Sequence, residues 1–133
     1  MEELKKMTFK EKDAVLRSIV REYHKAKIQL KVLEDKEFYP TNQYNMVVQE
    51  SKPRYGGLEH MIMNHIEKKE ALRSLIGLVD DVFHSLDFDE QQIIENDFLN
   101  PVQREWWQQF YSRSTFYRIK KKAVDEMLYY LIR

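Results

Sequence analysis

The segment Ser112-Arg113-Ser114-Thr115-Phe116-Tyr117-Arg118-Ile119-Lys120-Lys121-Lys122-Ala123 concentrates the chain's hydrogen-bonding and cationic side chains. Arg113, Arg118, Lys120, Lys121 and Lys122 bring positive charge, and Ser114 and Tyr117 bring hydroxyls. The chemistry open to such a set is non-covalent recognition of a polyanion: donors near the start of a helix for base edges, cations further along for phosphates. A lysine run by itself is an ordinary solvated helix face. Placed after a capped turn and interleaved with an apolar three–four stripe, it reads as a DNA-contacting face. Ser112 reads as the helix cap and not as a nucleophile, because no His or Asp stands at a useful local spacing.

The elements that must position this face come from the same third of the chain. The final helix should run from Arg113 to about Leu131, with Phe116, Ile119, Ala123, Met127 and Tyr130 as its buried stripe. Asp87-Phe88-Asp89-Glu90-Gln91 predicts a cap and an acidic first turn, followed by Ile93, Ile94, Phe98 and Leu99 on one face. Asn100-Pro101 predicts another helix start, Asn100 as N-cap and Pro101 at the first helical position. That middle helix would carry Val102, Trp106, Trp107 and Phe110, with Tyr111-Ser112 as the turn. Three helices with a tight turn before the last are the layout of a helix-turn-helix, with Arg104 placed to hold the DNA backbone. For Trp106 and Trp107 the ordinary expectation is one core ring and one partly exposed; base stacking or a partner-protein pocket is the alternative.

Upstream, two long helices are predicted. Thr8 and Glu11 form a capping box for a helix over about 8–36. Phe9, Leu16, Tyr23 and Leu30 recur every seven residues, with Ile19, Ala26 and Leu33 between them. A second helix over about 58–86 carries Leu58, His65, Leu72, Val79 and Leu86, with Ile62, Ile76 and Phe83 beside them and Lys69 interrupting. The polar connection 38–57 holds Pro40, Pro53, Gly56 and Gly57. The stripes should pair within one chain or across a dimer. The expected fold is therefore all-α: two long antiparallel or coiled-coil helices, 1–86, for dimerisation or interaction, then a three-helix DNA-binding domain, 87–133.

Composition narrows the function. The 133 residues are 43% hydrophobic and 33% charged, too apolar for disorder and too polar for a membrane protein. The N-terminus lacks the apolar core of a secretory signal. With no cysteine, disulfides and thiolate chemistry are absent and a cytoplasmic location is expected. His60 and His65 are five apart and do not align as a metal-binding pair; no metal or cofactor is expected. No P-loop, dinucleotide fingerprint or nucleophile elbow occurs, so an enzyme is not expected. The zero net charge hides an asymmetry: residues 79–100 hold seven acids and no Lys or Arg, whereas residues 101–133 hold seven Lys or Arg and three acids. The acidic stretch could compete with DNA for the basic helix or face RNA polymerase.

The Ser112–Ala123 string resembles the C-terminal signature of the ArpU and RinA families, phage and prophage transcriptional regulators of Gram-positive bacteria. Leu86-Asp-Phe-Asp-Glu-Gln-Gln-Ile93 resembles the lead into their three-helix module, which is similar to the fourth region of sigma factors. The resemblance implies sequence-specific binding of double-stranded DNA and control of late or packaging genes, expected as activation. It assigns Arg113, Ser114, Tyr117, Arg118 and Lys121 to the recognition helix. The chain departs from the pattern at Trp106-Trp107, where the families carry a small Ile-Ala pair. A homodimer in the host cytoplasm, near the nucleoid, is the expected assembly, with RNA polymerase as a further candidate partner. Two alternatives stand beside it: a ring-forming small-terminase-like packaging protein, and a protein-interaction module whose helix-turn-helix no longer binds DNA.

Overall fold

A computed structural model describes residues 2–37 and 57–132. Among these, helices are the only regular elements. They are α1 (Glu2–Lys6), α2 (Phe9–Glu37), α3 (Gly57–Ser85), α4 (Phe88–Ile94) and α5 (Arg113–Leu131), with a π-helical turn at Glu95–Leu99 and a 3₁₀ turn at Trp106–Gln109. All-α architecture is thus as expected, and α1 is an addition. The polar connection at 38–57 lies, apart from its last residue, outside the described residues.

Local chemistry accounts for the long helices. The Thr8 hydroxyl accepts the Glu11 N–H at 3.2 Å, and the Thr8 carbonyl accepts the Lys12 N–H at 3.0 Å. The first pair satisfies a donor that a helix start otherwise leaves orphaned. Of the heptad positions on α2, Leu16, Tyr23 and Ala26 are buried, joined by Val20. On α3, Val79 and Val82 are buried, and Leu86 beyond its end is buried too.

The chain divides into two compact units, residues 1–23 with 77–133, and residues 24–76. The division cuts through both long helices. In the first unit the start of α2 is tied to the C-terminal helices: Lys12 pairs with Asp125 at 2.7 Å, and Arg17 donates to the Asp97 carbonyl at 3.0 Å. In each unit the long helices touch within one chain. The Tyr23 hydroxyl donates to Asp80 in the first, and Arg73 pairs with Glu34 at 3.3 Å in the second. In the second unit Lys69, which breaks the apolar series, is itself buried.

The core of the first unit is closed by Ile93 and Ile94 of α4, Phe98 and Leu99 of the π turn, and Phe116, Ala123, Val124, Met127 and Leu128 of α5, all buried. The stripe on α5 differs from the expected one. Val124 and Leu128 are buried, whereas Tyr130 is exposed.

The middle element also differs. Asn100 caps no helix: its N–H goes back to the Glu95 carbonyl at 2.8 Å, its side-chain amide donates to the Glu95 carboxylate, and the Val102 N–H bonds the Asn96 carbonyl at 3.1 Å. These bonds close the preceding π turn, so Pro101 starts an irregular stretch and not a helix. Only at Trp106–Gln109 does the chain coil again, through three-residue bonds such as Gln108 N–H to Glu105 O at 3.2 Å.

Candidate nucleic-acid interface

Ser112 positions α5 as expected. Its hydroxyl accepts the Thr115 N–H at 3.3 Å and lies 2.9 Å from the Thr115 hydroxyl, while its carbonyl accepts the Phe116 N–H at 2.9 Å. With Phe116, Ala123, Val124, Met127 and Leu128 turned inward, the opposite side carries Arg113, Ser114, Tyr117, Arg118 and Lys121, all exposed. The Arg113 guanidinium stands 5.9 Å from the Tyr117 ring centroid, and the Lys121 ammonium 5.7 Å from that of Phe9. This gives one helix face of three cations and two hydroxyls, in reach of its own N-terminus, where the helix dipole adds positive potential.

Lys120 does not share that face. Its ammonium lies 3.0 Å from Asp97 Oδ2 and 3.8 Å from Asp13 Oδ1, and its side chain is only 11% exposed. It is ringed by aromatic faces, 5.5 Å from the Phe98 centroid and 5.7 Å from that of Phe116. Arg17 completes the cluster, bonded to Asp13 at 2.8 Å and set 4.5 Å above Phe98. Lysine and arginine thus brace α2, the π turn and α5 against one another. The signal was in the spacing: Lys120 is four residues after Phe116 and four before Val124, in phase with the buried stripe. Lys122 is 63% exposed at its side chain but stands 3.7 Å from Glu90.

The two tryptophans are both half-buried. Trp106 donates its ring N–H to Asp97 Oδ1 at 2.8 Å and meets Phe116 edge-on. Trp107 stacks on Phe116, with centroids 4.6 Å and planes 11° apart. Both rings are engaged in holding the segment before α5. The large exposed side chain nearby is Phe110. Arg104, in the irregular stretch, is exposed and makes no ion pair among the described residues.

The acidic stretch is mostly absorbed into the fold. Asp80 receives Tyr23, Asp87 accepts the Glu90 N–H at 2.9 Å as the cap of α4, and Asp89 accepts the Tyr111 hydroxyl at 2.8 Å. The bonds to the Glu90 N–H hold the Asp87 carboxyl below its ordinary range. Burial, then the bond to Asp89, pushes the Tyr111 hydroxyl up to about 12. Glu95 and Asp97 are committed as described. Glu90 is buried, with Oε2 lacking a hydrogen-bond partner. Burial, followed by the neighbouring carboxyls of Asp87 and Glu126, pushes its carboxyl up to about 8. Glu90 therefore holds its proton more readily than an ordinary carboxylate, which lowers the repulsion among three acids at the contact of α4 with α5.

Comparison with family models, curated proteins and solved structures gave no match to this chain. Among the described residues no helix is long and apolar enough to cross a membrane, and no three His, Asp or Glu residues converge on a metal position.

Proposed function

We propose that the C-terminal part of the first unit is a helix-turn-helix-like module for double-stranded DNA, with α5 as the recognition helix of a transcription regulator. The observation that carries this is the division of α5 into a buried apolar stripe and an exposed face of Arg113, Ser114, Tyr117, Arg118 and Lys121. The N-terminal members would read base edges, while Lys121 and Arg104 would meet phosphates. Lys120 supports the module from inside and takes no part in contact. The resemblance of Ser112–Ala123 to the ArpU and RinA families adds the regulatory context, with phage late or packaging genes as the target. In the second unit, Ile28, Val32, Met61, Ile62, Met63 and Ile66 leave apolar surface exposed, which favours a second copy as partner. The direct test is selection of bound fragments from the source genome at physiological salt, where non-specific attraction is suppressed. Enrichment of a few promoter-proximal sites, lost in Arg118→Ala, is the expected result. No enrichment would overturn it.

A further inference from the structure

Beside the first two turns of α5 lies a cleft of about 400 Å³, toward the lower end of the ~300–1,000 Å³ typical of small-molecule sites. Its lining brings together Arg17, Arg104 and Lys120 with the carboxylate of Asp97, and Trp107 and Tyr117 give aromatic surface; Asp13 pairs with Arg17 and Lys120 from behind.

The charges are unequal in freedom. Asp97 is already answered, by Lys120 at one oxygen and by the Trp106 ring N–H at the other. Arg17 is fixed by Asp13 and by the Asp97 carbonyl. Arg17 and Arg104 are both exposed, but Arg104 alone of the three cations has no ion pair among the described residues. The cleft thus offers two cations already paired with carboxylates, one guanidinium with uncommitted donors, and rings held in place: Trp107 is locked by its stack on Phe116, and Tyr117 is 38% exposed. A neutral apolar ligand would leave the Arg104 guanidinium unanswered. A phosphate matches its planar fork. A planar heterocycle joined to that phosphate matches the aromatic wall.

We propose, building on the reading of this face as a nucleic-acid surface, that the cleft takes one nucleotide unit, phosphate at Arg104 and base or sugar against Trp107 and Tyr117. The unit comes either from a polynucleotide passing α5 or from a free mononucleotide; the recognising chemistry is shared.

Trp106 and Trp107 are the chain's two tryptophans, so fluorescence of the full protein reports directly on the cleft. Titration with deoxyadenosine monophosphate should give a saturable change below ~5 mM, and inorganic phosphate should bind roughly tenfold more weakly for want of stacking. Arg104→Gln should weaken nucleotide binding roughly fivefold or more. Val102→Phe, at a position 54% exposed, should block the cleft while leaving the helical circular dichroism intact. Displacement of the nucleotide by single-stranded DNA, whose bases are free to stack, would assign the unit to a polynucleotide; indifference to single strands would assign it to a free mononucleotide. No saturable change, or binding indifferent to both variants, would overturn the proposal. Duplex binding that remains sensitive to Arg118→Ala would then leave the recognition-helix reading standing, so the two fail separately.

Discussion

Lys120 and Asp97 stand 3.0 Å apart on the inner side of α5, their side chains 11% and 14% exposed. This pair separates three consecutive lysines into different roles. Lys121 faces out, Lys122 leans over the buried Glu90, and Lys120 joins α5 to the π turn and, through Asp13, to α2. Its ammonium is partly desolvated, and its two acidic partners would repel each other without it.

Substitution of neighbouring lysines should therefore have opposite signatures. Lys120→Met, which keeps the stem but strips Asp97 of its cation and leaves Asp13 to Arg17 alone, should cost up to about 3 kcal/mol of stability in urea unfolding and leave the salt slope of DNA binding unchanged. Lys121→Ala should change stability by under ~0.5 kcal/mol and lower that slope by about one. A reversed pattern would mean that the outward and inward lysines are wrongly assigned.

Much of this arrangement was legible in the sequence where a local rule and the helical period agreed. Thr8 with Glu11, Asp87 and Ser112 each announced a helix start, and each caps one. Asn100-Pro101 carried the same kind of signal and misled, because the Asn100 N–H and amide were both claimed by Glu95 in a five-residue turn. Helix-start chemistry cannot reveal that competing bond. The inward turn of Lys120 was readable from its phase with Phe116 and Val124, but its partners Asp13 and Asp97 come from other elements. A run of identical lysines carries no mark of which member they select.

At the N-terminus of α5, capping and DNA contact can be pulled apart. Ser112→Ala removes the acceptor of the Thr115 N–H and should lower stability by about 1 kcal/mol. Ser112→Asp restores a cap acceptor and should hold stability near wild type, yet it sets a carboxylate beside Arg113 and should weaken DNA binding. Thermal unfolding and a binding isotherm on each variant check both halves. Equal DNA affinity in the Ala and Asp variants would contradict the placement of this helix start against DNA.

The contact of α4 with α5 should respond to pH. Glu90, raised from an ordinary 4.5 to about 8 chiefly by burial, binds its proton more tightly folded than unfolded. Its stabilising contribution is full below the unfolded value and is lost as pH rises toward 8. Asp87, lowered by its bonds to Glu90, acts in the other sense: its contribution is present above its unfolded value and lost as pH falls through the folded one. Unfolding free energy should decline between about pH 5 and 8, and Glu90→Gln should flatten that decline and make the protein more stable at pH 8 than wild type. A Glu90→Gln profile parallel to wild type would show that the buried carboxyl does not titrate in this range.

The most direct test of the central claim is the affinity of the full chain for an enriched genomic duplex, measured across a salt series for wild type, Arg118→Ala and Lys121→Ala. If α5 reads DNA, Arg118→Ala should cost about 1–3 kcal/mol on the specific site and relax its preference over unrelated duplex. Lys121→Ala should weaken both duplexes alike and lower the salt slope by about one. Wild-type affinity and slope in both variants, with the fold intact, would contradict the assignment of α5 as a recognition helix.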